Sequence, residues 1–164
     1  MPPFQPHASP LPALLQRLLT RGRELLAWLW AQEGSPGQRA RGLAAGIFCG
    51  CFPFFGLQTL LGVALASVVR GNHLLAAAGT WISNPFTYVP LYWLNYRLGC
   101  WLIGPGQEWP GLAALRAASL RQLGWSMASR LLLGSALVGL VASAAGGGLY
   151  WLWLEREQRG RRHD

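Results

Sequence analysis

The chain has 164 residues, of which 52% are hydrophobic and only 12% are charged. An ordinary soluble domain carries about 25% charged residues, so a soluble protein of this composition would expose large apolar patches. The length leaves room for one domain, and the composition favours a chain whose solvent is partly lipid.

The net charge is +8, and all 14 basic residues are arginines. Most of them flank the hydrophobic runs, within residues 17–41, 116–130 and 156–162. Membrane proteins carry positive charge in this way, facing anionic headgroups. We therefore expect the lipid bilayer as the principal partner, and no nucleic acid.

The first 38 residues are predicted to form a flexible tail, an amphipathic helix and a linker. The opening residues lack the charged start and apolar stretch of a secretory signal peptide. Within 11–30, eight leucines recur at helical spacing, while polar residues fill the opposite face. This helix would lie in the membrane plane or pack on its own membrane domain. Residues 33–38 have the composition of a linker.

A membrane domain is predicted for residues 39–154, and it contains three hydrophobic segments. The segments are residues 42–69, 74–103 and 131–154. A surface loop at 104–130 precedes the third segment, and a basic tail occupies 155–164. The fold class is all-α: a small polytopic helical membrane protein with one continuous C-terminal span.

Two proline-centred motifs interrupt the first two segments. Pro53 and Gly56 belong to the first motif, and Pro85 and Pro90 to the second. Non-helical backbone at membrane depth is tolerated only where protein or a water-filled cavity satisfies it. We expect helices to break at these residues. Both arginine-rich ends favour the cytoplasm, so at least one broken segment is predicted to be a re-entrant hairpin.

Polar side chains accompany both breaks. Gln58 and Thr59 follow the first, while Asn84, Thr87 and Tyr88 belong to the second. Paired interrupted helices are typical of binding sites, and half-helices beginning after each break would direct positive dipole ends into one region. These five residues are therefore candidates for binding an anionic lipid headgroup. The alternative is that they only repair backbone hydrogen bonds lost at two proline kinks.

Two rows of small residues recur at every fourth position. The rows are Gly42, Gly46 and Gly50, and Ser135, Gly139, Ser143 and Gly147. Residues four apart share one helix face, and small residues let helices approach closely. Both rows are predicted to serve helix packing, within the chain or against a membrane protein partner or a second copy.

Catalytic and metal chemistry find little support. Cys49, Cys51 and Cys100 lie in apolar surroundings without histidine or carboxylate partners, so we interpret them as small packing residues. No carboxylate occurs in residues 43–103, which removes a carboxylate acid–base pair from the broken region. We expect no metal, no cofactor and no enzymatic activity.

Several of these motifs occur together in a characteristic order. Pro53-Phe-Phe-Gly-Leu-Gln-Thr59 is followed by Asn72 and by Gly79-Thr-Trp-Ile-Ser-Asn-Pro-Phe-Thr87. In this order and spacing, they resemble a bacterial membrane protein family known only as a domain of unknown function, number two-zero-six-two. The resemblance implies a helical inner-membrane protein, and it supplies no catalytic residues.

Two functional hypotheses follow for a multi-pass protein of the bacterial inner membrane. In the first, the broken segments form a pocket that binds or moves a small polar or phosphate-bearing lipid species. In the second, the protein is a non-enzymatic membrane adaptor or assembly factor, and its motifs serve helix packing and partner docking.

Overall fold

The computed structural model describes residues 15–17, 19–21, 24, 34–106, 109 and 124–160. The chain divides into two units, Met1–Glu33 and Gly34–Asp164. In the first unit the described residues are helical and exposed, as expected for part of the amphipathic helix. The predicted tail and the remainder of that helix lie outside the described residues.

The second unit is all-helical over its described residues, as predicted. Helix α3 (His73–Gly79) leads directly into the 3₁₀ turn Thr80–Ile82. The α-helices are α1 (Pro36–Gly50), α2 (Gln58–Val68), α3 (His73–Gly79), α4 (Tyr88–Ile103) and α5 (Gly124–Gly160).

Helix α1 begins earlier than predicted. Ser35 is its N-cap and accepts a hydrogen bond from the backbone N–H of Gln38, whose side chain accepts from the Ser35 N–H at 3.0 Å. Pro36 occupies the first helical position, where a missing N–H costs nothing. The predicted linker therefore ends in a capping box, which Ser-Pro-Gly-Gln at residues 35–38 encodes.

The first break separates α1 from α2. The backbone N–H of Leu57 donates to the Phe54 carbonyl at 2.9 Å, and Gly56 has a φ of +83°. Residues 54–57 thus form a β-turn with a positive φ at its third residue, as in a type II turn. Glycine adopts this conformation without strain. Pro53 lies buried just before this turn.

The second break spans residues 83–87, between the 3₁₀ turn and α4. Pro85 lies within it, as expected, but the additional break near Pro90 is absent. Helix α4 begins at Tyr88, so Pro90 occupies the third position of its first turn. The first-turn N–H groups have no intrahelical acceptor, and proline is therefore tolerated there.

Helices α1 and α2 form an antiparallel hairpin. The residues that follow α2 lie beside the start of α1, where the N–H of Asn72 donates to the Gln38 carbonyl at 2.9 Å. At the same place Arg41 donates to the carbonyl oxygens of Val69 and Arg70 at 2.8 and 3.1 Å. We call this the arginine end of the unit.

Helix α3 packs closely along α1, in the same direction. A Cβ atom on Gly42 or Gly46 would overlap the backbone of Asn72 or Ala76, respectively. At Gly50 it would lie 2.8 Å from the Ile82 side chain. The predicted glycine row thus forms a contact within the chain.

Helix α5 has 37 residues and is about 55 Å long. It starts within the predicted loop 104–130 and continues into the predicted basic tail, so the helix is longer than the predicted segment 131–154 that it contains. Its second half packs on α1, with Gly139 next to Phe48 and Gly147 next to Ala44.

The first half of α5 packs on α4 in antiparallel orientation. A Cβ on Gly99 of α4 would overlap the backbone of Arg130, and one on Gly134 of α5 would overlap that of Asn95. Neither glycine belongs to the predicted rows. At its far end α5 returns to the arginine end, where Tyr150 accepts a hydrogen bond from Arg39 at 3.0 Å.

We predict that Gly46→Leu lowers the free energy of unfolding by about 1–3 kcal/mol, since the new side chain must displace α3 from α1. Gly148→Leu is the matched control, because a Cβ there meets no atom within 4 Å. Thermal unfolding of both variants in detergent measures the difference. Equal melting temperatures would contradict the close α1–α3 contact.

Candidate functional site

A pocket of ≈ 240 Å³ lies where the starts of α2 and α4 approach the 3₁₀ turn. Its walls come from both proline-centred motifs. The lining residues are Gly56, Gln58, Thr59, Thr80, Trp81, Ser83, Asn84, Pro85 and Tyr88. The structure thus brings together four of the five predicted ligand-binding residues, while Thr87 lies outside the lining.

Gln58 is 6% exposed and connects the two breaks. Its Nε2 donates to the Phe52 carbonyl at 2.5 Å and to the Tyr92 hydroxyl at 2.8 Å. Its Oε1 accepts from the Ser83 hydroxyl at 2.9 Å. Since an amide nitrogen carries two hydrogens, Gln58 has committed both, and its main role is to position the pocket walls.

Asn84 and Thr87 hold the second break through reciprocal bonds. Asn84 Oδ1 accepts from the N–H groups of Phe86 and Thr87 at 2.9 and 3.1 Å. The Thr87 hydroxyl accepts from the Asn84 N–H at 2.9 Å and donates to the Ile82 carbonyl at 2.6 Å. These bonds close the turn around Pro85. Thr87 therefore stabilises the turn and does not line the pocket.

No side chain caps the start of α2 or that of α4, but α4 has fewer free N–H groups, because the Tyr88 N–H donates to the Asn84 carbonyl at 3.0 Å and Pro90 has no N–H. The first turn of α2 holds Gln58, Thr59 and Leu60, whose N–H groups have no acceptor within the helix. A Cβ on Gly56 would meet no atom within 4 Å, so the approach to this helix end is open. The dipole of α2 makes this end of the pocket electropositive.

Thr59 contributes a hydroxyl to the pocket. Its side chain is exposed, and its hydroxyl lies 3.2 Å from the Thr80 hydroxyl. Thr80 donates its own hydrogen to the Ala77 carbonyl at 2.7 Å. On the opposite wall Tyr88 stacks on Tyr92, with ring centroids 5.7 Å apart.

Asn95 is a buried residue that is not among the predicted site residues. Its Nδ2 donates to the Cys51 carbonyl and to the Ser135 hydroxyl, both at 2.9 Å. Asn95 thereby joins the end of α1 to α4 and α5. A lone amide within an apolar helical run, as here, is a sequence signal for a structural or functional polar contact.

The four residues of the small-residue row on α5 make different kinds of contact. Ser135 is fully buried against Asn95. Ser143 is half-buried and donates to the Leu140 carbonyl in its own helix at 3.1 Å. Gly139 and Gly147 face α1.

The three cysteines are free thiols; Cys49 and Cys51 are buried and Cys100 is half-buried. Within the described part of the chain, no group of three or more His, Cys, Asp or Glu side chains is placed to hold a metal ion. The pocket is lined by hydroxyls, amides, aromatic rings and backbone, so its chemistry is that of hydrogen bonding.

These features define an all-helical protein with one candidate membrane span and a polar pocket. Among the described residues, Gly124–Gly160 is the helix long and apolar enough to cross a membrane. The chain belongs to the family described as "Uncharacterized protein conserved in bacteria (DUF2062)", which it matches over residues 19–163. The resemblance stated from the motifs is therefore confirmed. Comparisons with curated proteins and with solved structures find no match.

We predict that Gln58→Ala lowers the free energy of unfolding by about 2–4 kcal/mol, because it leaves several buried polar groups without partners. Thr59→Ala is the neighbouring control, and it should cost about 1 kcal/mol or less. Chemical denaturation in detergent measures both values. A smaller loss for Gln58→Ala than for Thr59→Ala would contradict the role given to Gln58.

Proposed function

We propose that this protein is an integral, multi-pass protein of the bacterial inner membrane that binds a small polar or phosphate-bearing lipid headgroup. The binding site would be the pocket between the two proline-containing breaks. The observation that carries this proposal is the uncapped start of α2, which opens into a pocket lined by Thr59, Asn84 and Tyr88.

The chemistry of the pocket supports an anion. Three first-turn N–H groups and the positive end of the α2 dipole favour negative charge. No carboxylate lines the pocket to oppose it. The start of α4 adds less than the sequence suggested, because the Tyr88 N–H donates to the Asn84 carbonyl at 3.0 Å and Pro90 has no N–H to offer. One helix end, not two, therefore supplies the main attraction.

The membrane placement proposed here has two crossings and one re-entrant hairpin. Helix α5 is one crossing, and α3, the 3₁₀ turn and α4 together form the other. Helices α1 and α2 have 15 and 11 residues, about 22 and 16 Å, so each is shorter than the ~30 Å hydrocarbon core. The hairpin would enter and leave at the arginine end, which the positive-inside rule assigns to the cytoplasm.

We propose that the protein binds or moves this lipid species, and that it has no enzymatic activity and no cofactor. The pocket offers no carboxylate, histidine or thiol as a general acid, base or nucleophile. A hydrogen-bonding pocket at membrane depth instead suits recognition of a headgroup whose acyl chains remain in lipid.

A second function, as a membrane adaptor or assembly factor, is favoured by a specific observation. Most hydrogen bonds of the polar motif side chains stabilise the two breaks; this holds for Gln58, Asn84 and Thr87. Beside the pocket, Trp81 and Phe86 are 76% and 91% exposed, which would suit docking of a membrane protein partner or a second copy.

We predict that the turn after α2 and the end of α5 face the cytoplasm, while the residues after α4 face the periplasm. Single cysteines at Arg70, Glu157 and Pro105 report these three places, in a background whose native cysteines are replaced by serine. A membrane-impermeant maleimide added to spheroplasts should label only the cysteine at Pro105. Labelling of Arg70→Cys but not Glu157→Cys would mean that the α1–α2 hairpin is not re-entrant.

We predict that Thr59→Asp weakens binding of dihexanoyl phosphatidic acid at least about tenfold, a cost of ~1.4 kcal/mol, because it places a like charge at the anion site. Thr59→Asn is the isosteric neutral control and should change the affinity less than about threefold. Intrinsic tryptophan fluorescence in detergent, to which the pocket residue Trp81 contributes, follows binding, with dihexanoyl phosphatidylcholine as the comparison ligand.

Equal binding of phosphatidic acid by wild type and Thr59→Asp would contradict the proposed headgroup site. A stoichiometric protein partner recovered from native membranes, lost on Trp81→Ala or Phe86→Ala, would then establish the adaptor function.

A further inference from the structure

We propose a second lipid site: a groove between α1, α2 and α5 that holds one acyl chain of an anionic phospholipid, with the phosphate at Arg41. The proposal rests on the membrane placement given above, but it does not depend on the pocket between the breaks. The groove lies on a different face of α2 and opens at the arginine end of the unit.

The groove consists of two adjoining cavities. The first has a volume of ≈ 330 Å³, and its lining includes Arg41, Ala44, Val69, Leu140 and Ser143. The second has a volume of ≈ 390 Å³ and continues toward the first break. Phe48 and Leu65 line both cavities, so the two adjoin and follow each other along α1 and α2.

The dimensions of the groove fit one acyl chain. It runs from Arg41 to Phe52 and Phe54 at the tip of the hairpin. The helical distance from Arg41 to the end of α1 is about 14 Å. One leaflet contributes about half of the ~30 Å hydrocarbon core. A chain entering at the arginine end would therefore be covered over its length.

Polarity is concentrated at the mouth, which identifies the occupant as amphipathic. Beyond Arg41 and Ser143, the lining residues are apolar, and none carries a carboxylate. Arg41 spends two hydrogen bonds on the carbonyl oxygens of Val69 and Arg70. A guanidinium has five donors, so others are available to a phosphate. The exposed Arg70 adds positive charge at the same end.

The test uses the full-length protein in nanodiscs made from equal amounts of dioleoyl phosphatidylglycerol and dioleoyl phosphatidylcholine. Native mass spectrometry after mild detergent release counts the lipids that each variant retains. Wild type should retain one phosphatidylglycerol with an about tenfold preference over phosphatidylcholine, and Arg41→Gln should remove most of this preference. Arg156→Gln, an exposed arginine of α5 outside the groove, should keep it.

Groove-filling variants separate the acyl contact from charge alone. Ser143→Phe should lower the retained phosphatidylglycerol about tenfold, and Ala144→Phe, at the adjacent exposed position outside the lining, should leave it unchanged. Leu140→Trp, at an exposed lining residue, repeats the test if Ser143→Phe melts early. Phosphatidylglycerol with a diazirine at the end of one acyl chain should crosslink to Phe52 or Phe54.

Retention by Ser143→Phe and Leu140→Trp at the wild-type level would overturn the groove. Crosslinks on α4, or a lipid-free dimer that these variants dissociate, would also overturn it, the latter by assigning the face to a second copy. Thr59→Asp must leave retention in the groove unchanged, so failure of the headgroup pocket and failure of the groove are distinguishable.

Discussion

The fold depends on how two stretches of non-helical backbone are satisfied inside an apolar protein. A buried polar group that is left without a partner costs a few kcal/mol. Three amide side chains supply the partners: Gln58 links the breaks, Asn84 closes the second turn, and Asn95 takes the Cys51 carbonyl. The breaks lie side by side because Gln58 bonds to both.

Glycine determines the arrangement of helices around that centre. The row on α1 lets α3 approach until backbone meets backbone, and Gly99 and Gly134 do the same between α4 and α5. Such close contacts gain dispersion and weak hydrogen bonding between helices. As a result, a hairpin of two short helices is held against the long α5, and its tip becomes one wall of the pocket.

The two starts of half-helices in the breaks have diverged in role. At the beginning of α4 the Asn84 carbonyl accepts the Tyr88 N–H and Pro90 has no N–H, whereas the first-turn N–H groups of α2 have no side-chain cap. This asymmetry makes a headgroup site and a structural junction compatible in one motif. It also explains why the proposed binding contacts fall on Thr59 and backbone, while Gln58 acts by holding them in place.

The sequence by itself determined the helical class, the family, the sites of the proline breaks and the presence of small-residue faces. Each of these follows from local chemistry: apolar length, a missing N–H, or residues four apart on one face. The capping box at Ser35 was equally local, but the compositional prediction of a linker obscured it.

Only the tertiary structure decided which polar groups remain for a ligand. Whether an amide faces a pocket or a carbonyl depends on residues far apart in the chain, such as Gln58 with Ser83 or Asn95 with Ser135. The break expected at Pro90 is absent because Pro90 lies in the first turn of α4. A proline disrupts a helix only where a preceding turn would supply an acceptor for the missing N–H. Long-range contacts, which no local pattern encodes, assigned these roles.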